Sequence, residues 1–127
     1  MRRMFLISIA ATLVIAPAAG DAASSKRGTA CPDGTVCVWT KKNFRGDREV
    51  IKKKGVTNLS RKLNNKVTSV KNRSQGNVFL MDAKNGSTDD DYQCMFEPEY
   101  RDLDDPGFNN VISSVYRPGL DDPQPLC

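Results

Sequence analysis

The heptad Leu63–Ser69, LNNKVTS, returns as FNNVISS at Phe108–Ser114. Both copies read apolar–Asn–Asn–x–apolar–Ser/Thr–Ser. A chain that writes this pattern twice, in a length that supports one core and not two, is best built as two copies of one unit closing over a shared core. The flanking sequence agrees. VCVW (Val36–Trp39) matches VFLM (Val78–Met81), and each opens a half that continues through a hairpin, a strand, a loop and the Asn-Asn strand.

Short β-branched and aromatic runs alternate with turn residues along both halves. Residues 35–40, 48–52, 66–72, 77–82, 92–97 and 111–117 read as strands. KGVTNLSRKLNN (54–65) and EYRDLDDPGFNN (99–110) read as loops, and AKNGSTDD (83–90) as a long hairpin loop. The proline-rich PGLDDPQP cannot continue a strand. No segment keeps a helical apolar period over three turns. The expected fold is all-β, two Greek keys packed as one sandwich. Val36, Val38, Val67, Val70, Val78, Leu80, Ile112 and Val115 belong to its predicted core.

The domain begins well inside the chain. Arg2 and Arg3 precede an apolar run from Met4 to Ile15 and then small residues, the pattern of a secretory signal peptide, with cleavage between about Ala18 and Ala23. The run is too short to be retained as a spanning helix. Residues 1–23 are therefore expected to be the signal peptide and 24–30 a flexible mature N-terminus. The domain covers 31–127, with the first Greek key at about 31–74, the second at about 75–118 and a tail at 119–127.

Export gives the cysteines their meaning. Cys31, Cys37, Cys94 and Cys127 make an even set, which in a secreted chain indicates two disulfides with three possible connectivities. CPDGTVC wraps a Pro-Asp-Gly turn, so Cys31 and Cys37 can close locally, leaving Cys94 and Cys127 to pin the tail. Zinc is the alternative, against which stand the C-x5-C spacing and the lack of any histidine. With no histidine, Ser-His-Asp and Cys-His catalysis are excluded, as are imidazole-bound metals.

The net charge of +4 conceals a split. Residues 26–73 carry 14 Lys/Arg against 3 Asp/Glu, and residues 74–127 carry 3 against 11. So acidic a half argues against a nucleic-acid partner. The split reads as two halves that pack and compensate one another, and IKKKG (Ile51–Gly55) as a solvated strand end rather than a binding patch.

WTKKNFRG (Trp39–Gly46) resembles the aromatic-x4-aromatic-x-Gly hairpin of βγ-crystallin Greek keys. NNKVTS and NNVISS fit that superfamily's Asn/Asp-Asn/Asp-x-x-Ser/Thr-Ser calcium motif. CPDGTVCVW behind a signal peptide resembles its bacterial secreted single-domain branch, which includes metalloproteinase inhibitors. The second half departs from the hairpin signature, with MDAKNGSTDDD in its place. The resemblance implies calcium bound weakly by neutral oxygens: the side chains of Asn65 and Asn110, the carbonyls of Lys66 and Val111, and the hydroxyls of Thr68 and Ser113. Carbonyls at Thr40 and Asp82 complete the implied set. Calcium takes six to eight such oxygens. Ser69 and Ser114 face the other way along the strand and serve the fold. Lys66 adds positive charge beside the first motif, which makes that site the poorer.

A plain structural reading stands beside this one, since Asn-Asn before a strand can simply satisfy a turn. An EF-hand starting at Asp82 fails, because Lys84 and Gln93 fall where carboxylates are needed. The Asp89–Asp91 run reads as a solvated loop. NLS, NRS and NGS are glycosylation acceptors in a eukaryotic secretory pathway only. The chain is read as a secreted monomeric calcium-binding module and not an enzyme, with no nucleic-acid or membrane partner. The alternative is a protease inhibitor acting without calcium, its partner a secreted protease. A hydrolase working through Glu97, Glu99 or the aspartates finds no paired motif to support it.

Overall fold

A computed structural model describes residues 29–104, 107–119, 121–123, 125 and 127. The signal peptide and most of the mature N-terminus expected from the sequence lie outside the described residues. Eight strands are present among them: β1 Val36–Lys41, β2 Arg45–Ile51, β3 Gly55–Asn58, β4 Ser69–Asn72, β5 Val78–Met81, β6 Tyr92–Met95, β7 Glu99–Asp102 and β8 Ser114–Arg117. They form two four-stranded antiparallel sheets, ordered β2-β1-β4-β7 and β3-β8-β5-β6. Each half keeps three strands in its own sheet and lends its third to the other. β3 pairs with β8, and β7 with β4. The halves are therefore interlocked Greek keys, and the expected all-β sandwich is the fold observed.

All eight predicted core residues are fully buried in one cluster, joined by Ile51, Leu59, Leu63, Met95, Leu103 and Phe108. At about 1.5–3 kcal/mol per buried large aliphatic side chain, this layer is the main force holding the sheets together. The outer face of the first sheet carries a second cluster, in which Trp39 and the Cys31–Cys37 disulfide pack with Phe44 and Val50. The other disulfide is Cys94–Cys127, so the pairing matches the expectation. Among the described residues no helix is long and apolar enough to cross a membrane.

The structure corrects two readings. Gly55–Asn58 and Glu99–Asp102 are strands, not loop. Both are the lent strands, sitting at a sheet edge with mostly half-buried residues, so neither shows the apolar alternation that marks a strand. The Asn-Asn segments run the other way. Lys66–Thr68 and Val111–Ser113 precede their strands, which start only at Ser69 and Ser114.

The second hairpin, with a connection at 82–91 against 42–44 in the first, repeats the first one's left-handed pair and serine contacts without its aromatic pair. Trp39 and Phe44 meet edge to face with centroids 5.4 Å apart. Asn43 and Phe44 both have left-handed backbone, φ 56° each, and Asn85 and Gly86 repeat this at 61° and 65°. Ser69 Oγ donates to Lys41 O at 2.6 Å and accepts from Phe44 N at 3.1 Å. Ser114 Oγ donates to Ala83 O at 2.6 Å and accepts from Gly86 N at 3.2 Å. The last serine of each motif thus clasps its own key's hairpin, as its expected role in the fold requires. Gly86 also has no room for a Cβ, which would collide with Val56.

Candidate metal centre

Asn65 and Asn110 occupy left-handed turns at φ 56° and 63°, a conformation asparagine tolerates better than most residues. Those turns bring the motifs together. Asn65 N donates to Ile112 O at 2.9 Å, and Asn110 N donates to Val67 O at 3.0 Å. Each Asn backbone therefore binds the other motif, and the side chains do the same. Ser113 Oγ donates to Asn65 Oδ1 at 2.8 Å, while Thr68 Oγ1 lies 3.2 Å from Asn110 Oδ1. The turn role and the grouping of oxygens coexist in the same residues.

The two crossed pairs are unequal. Thr68 Oγ1 is also 3.1 Å from Thr40 O. One hydroxyl hydrogen thus faces two acceptors, and three oxygens expected as ligands (Thr40 O, Thr68 Oγ1 and Asn110 Oδ1) converge with one proton among them. The second group is better satisfied. Ser113 gives its hydrogen to Asn65 Oδ1, its amide binds Met81 O, and Asp82 is held through its own amide by Asp91 O at 3.1 Å. Thr68 N binds Trp39 O as Ser113 N binds Met81 O, so Thr40 and Asp82 hold equivalent places one residue further on. Lys66 and Val111 follow the left-handed asparagines, and their carbonyls take no part in the bonds that cross between the motifs.

The first asparagine of each pair, which the sequence reading did not assign, adds a second observation. Asn64 Oδ1 and Asn109 Oδ1 are both buried, and among the described residues no group donates to either. Buried acceptors are nearly always partnered, and the same atom is left over in both copies. The doubling of Asn in both motifs is the sequence signal for these atoms. Hard, neutral oxygens of this kind suit calcium. Among the described residues no group of three or more His, Cys, Asp or Glu could hold a metal, so a carboxylate or thiolate centre is not formed there. The donor set fits a weakly bound hard cation.

Several solved structures share this fold. One, from work on the evolution of the eye lens βγ-crystallin domain fold, superposes with a TM-score of 0.59 at 25% identity, covering 69% of this chain and 89% of that one. A βγ-crystallin from an archaeon gives 0.55 at 23% identity, with 68% and 99% covered. The βγ-crystallin domain of Abundant Perithecial Protein from Neurospora crassa, solved with calcium bound, gives 0.52 at 22% identity, with 68% and 91% covered. No curated protein sequence matches the chain. The family model for peptidase inhibitor family I36 matches residues 24–93, more than half of the 127 residues. The chain belongs to peptidase inhibitor family I36 and carries that membership on a βγ-crystallin fold.

Proposed function

We propose that this chain is a secreted calcium-binding module in which the ion ties the two Greek keys together across the crossed Asn-Asn motifs. The observation that carries the reading is the convergence of Thr40 O, Thr68 Oγ1 and Asn110 Oδ1 on a single hydroxyl proton. Asn64 Oδ1 and Asn109 Oδ1 add buried acceptors that find no donor among the described residues. The ligands assigned are those of Thr40, Asn65, Lys66, Thr68, Asp82, Asn110, Val111 and Ser113. Bound calcium supplies positive charge where only neutral oxygens meet. The residues hold the turns and orient the oxygens through the crossed backbone bonds. Neutral ligands imply dissociation constants on the order of 10⁻⁵ to 10⁻³ M. Titration calorimetry and thermal unfolding with calcium, against magnesium at equal concentration, test this. Binding to the folded state alone raises the melting temperature with calcium. No heat and no shift at millimolar calcium reduces the motifs to turns.

Protease inhibition is the second reading, favoured by the family and by one loop. Phe96, between β6 and β7, is 57% exposed. Its amide donates to Glu99 Oε2 at 2.9 Å. The buried Asn72 amide donates to Met95 O and Phe96 O, both at 3.2 Å, and Cys94 is tied to Cys127. A large apolar side chain held out from a tethered loop loses little freedom on binding. This reading requires stoichiometric inhibition of a thermolysin-type or chymotrypsin-type protease, weakened at least about tenfold by Phe96→Ala. A protein that is digested or ignored by such a panel does not act this way.

A further inference from the structure

At the pole of the sandwich opposite the crossed motifs, the end of β8 meets the β2–β3 turn and the connection between the Greek keys. A cleft of about 470 Å³ opens there, within the size range of small-molecule sites. Lys52, Lys54 and Arg117 line it, with Ser74, Gln75 and Asn77, and among the described residues no Asp or Glu lines it. The sequence reading treated Ile51–Gly55 as a solvated strand end. The lysines are exposed, and the fold sets two of the three beside an arginine from the other half of the chain.

Arg117 is unusual in its own right. It is 7% exposed. Its Nη1 donates to Ile51 O at 3.0 Å and Lys52 O at 2.6 Å, and its Nη2 donates to Gly34 O at 3.0 Å. Three carbonyls satisfy hydrogens but supply no counter-charge, and a guanidinium has further donors beyond those three. Burial accordingly pushes the Arg117 pKa below its ordinary value. Buried charges are normally paired. The equivalent residue of the first key is Asn72, a neutral amide that also binds three carbonyls, those of Gly76, Met95 and Phe96. Carbonyl tethering therefore does not need a charge at this place in the fold.

We infer that this cleft is a binding site for a small oxyanion, a phosphate or sulfate group, held between the Lys52 and Lys54 ammonium groups over the Arg117 guanidinium. Lysine serves such ions as a mobile point charge, and the buried guanidinium gives a fixed one. The site is independent of the calcium motifs.

The test is titration of inorganic sulfate and phosphate in calcium-depleted buffer, with chloride at matched ionic strength as reference. Lys52, Lys53 and Lys54 are all exposed, and only Lys53 lies off the cleft. Single Gln variants at these positions remove the same charge at three neighbouring points and should leave the fold intact. The expected result is a melting-temperature rise with sulfate or phosphate beyond that with chloride. Affinity should weaken at least about fivefold in Lys52→Gln and Lys54→Gln and less than about twofold in Lys53→Gln. An equal response to chloride, or equal weakening in all three variants, overturns the site and leaves only a diffuse basic surface. Glycerol phosphate as a third titrant separates the sources. Affinity like that of free phosphate supports a site for the terminal group of an ester, and binding of the inorganic ion alone supports a site for the free ion.

Discussion

The first Greek key closes its hairpin on an aromatic pair, Trp39 and Phe44, while the second closes its hairpin on Asn85-Gly86. The connections differ in length, 42–44 against 82–91, yet a left-handed residue pair and the serine that grips it from β4 or β8 recur in both. What the two keys share is a polar clasp. Apolar side chains are free to diverge around it, because β8 packs Tyr116 against Phe79 where β4 lays Lys71 over Phe44 and Trp39. The oxygen clusters diverge in a finer way. Ser113 has one acceptor for its hydrogen and Thr68 has two. Equivalent backbones can thus carry unequal sites.

The largest difference between the keys should come from their disulfides. Cys31–Cys37 closes a separation of 6 residues and Cys94–Cys127 one of 33. In the loop-entropy model these are worth about 2.2 and about 3.7 kcal/mol. Denaturant unfolding of Cys31→Ala/Cys37→Ala and Cys94→Ala/Cys127→Ala checks the order. A first-key loss as large as the second would mean that burial of Cys37 beneath Trp39, rather than loop closure, sets its value.

Next in size are the clasps. Ser69 and Ser114 are fully buried, and each makes two bonds to its hairpin. Ser69→Ala and Ser114→Ala should each cost about 1–3 kcal/mol, since a part-buried amide and a part-buried carbonyl lose their partner. If the two hairpins are equivalent, the losses agree within about 0.5 kcal/mol. A much smaller loss for Ser69→Ala would show that the Trp39–Phe44 contact holds the first hairpin without the serine.

Much of this organisation was readable in the residues. The eight core positions, the repeated motif and both cysteine pairings follow from β-branched runs, a literal duplication and a turn enclosed by two cysteines. The lent strands β3 and β7 did not show themselves, because a short edge strand with half-buried residues has no period to detect. The second hairpin was legible only as a long hairpin loop at 83–90. Its signature lacks the aromatic, and only the left-handed φ values reveal Asn85-Gly86 in the places of Asn43-Phe44. Within the candidate site, local sequence marked Asn65, Thr68, Asn110 and Ser113, and the resemblance implied paired motifs, but neither gave the crossed backbone bonds of Asn65 and Asn110. That crossing is a property of interlocked keys, not of either heptad.

The crossing sharpens the calcium comparison. Asn110→Ala removes an oxygen from the group with one proton too few, and should weaken calcium binding at least about tenfold, or about 1.4 kcal/mol. Asn65→Ala removes an oxygen already satisfied by Ser113 and lying beside Lys66, and should weaken it less than about threefold. Thr68→Val should follow Asn110→Ala, because it deletes the hydroxyl at the centre of the same group. Titration calorimetry of the three variants decides. Equal losses for Asn65→Ala and Asn110→Ala would show that the hydrogen-bond asymmetry has no bearing on the ion.

The smallest effect lies at alkaline pH, where β4 and β8 carry different titrating groups at equivalent positions. Lys71 lies over Phe44 with its ammonium 4.2 Å from the ring centroid, and burial pushes its pKa below the usual lysine value. Tyr116 is pushed the other way, first by burial and then by the Asp122 carboxylate. The signs oppose. A lysine with a lowered folded pKa holds fewer protons folded than unfolded, so stability rises with pH up to the unfolded value of about 10.4. A tyrosine with a raised folded pKa holds more protons folded, so its contribution is complete below about 10 and is lost as pH climbs through the folded value. The two slopes therefore offset each other in the wild type in the window around the two unfolded values, about 10 and about 10.4. Lys71→Met should uncover a falling slope in that window and Tyr116→Phe a rising one, read from unfolding midpoints at half-unit steps. Parallel profiles for both variants would mean that neither group is held differently in the folded chain, and the outer faces of the two sheets would then be electrostatically equivalent despite their different side chains.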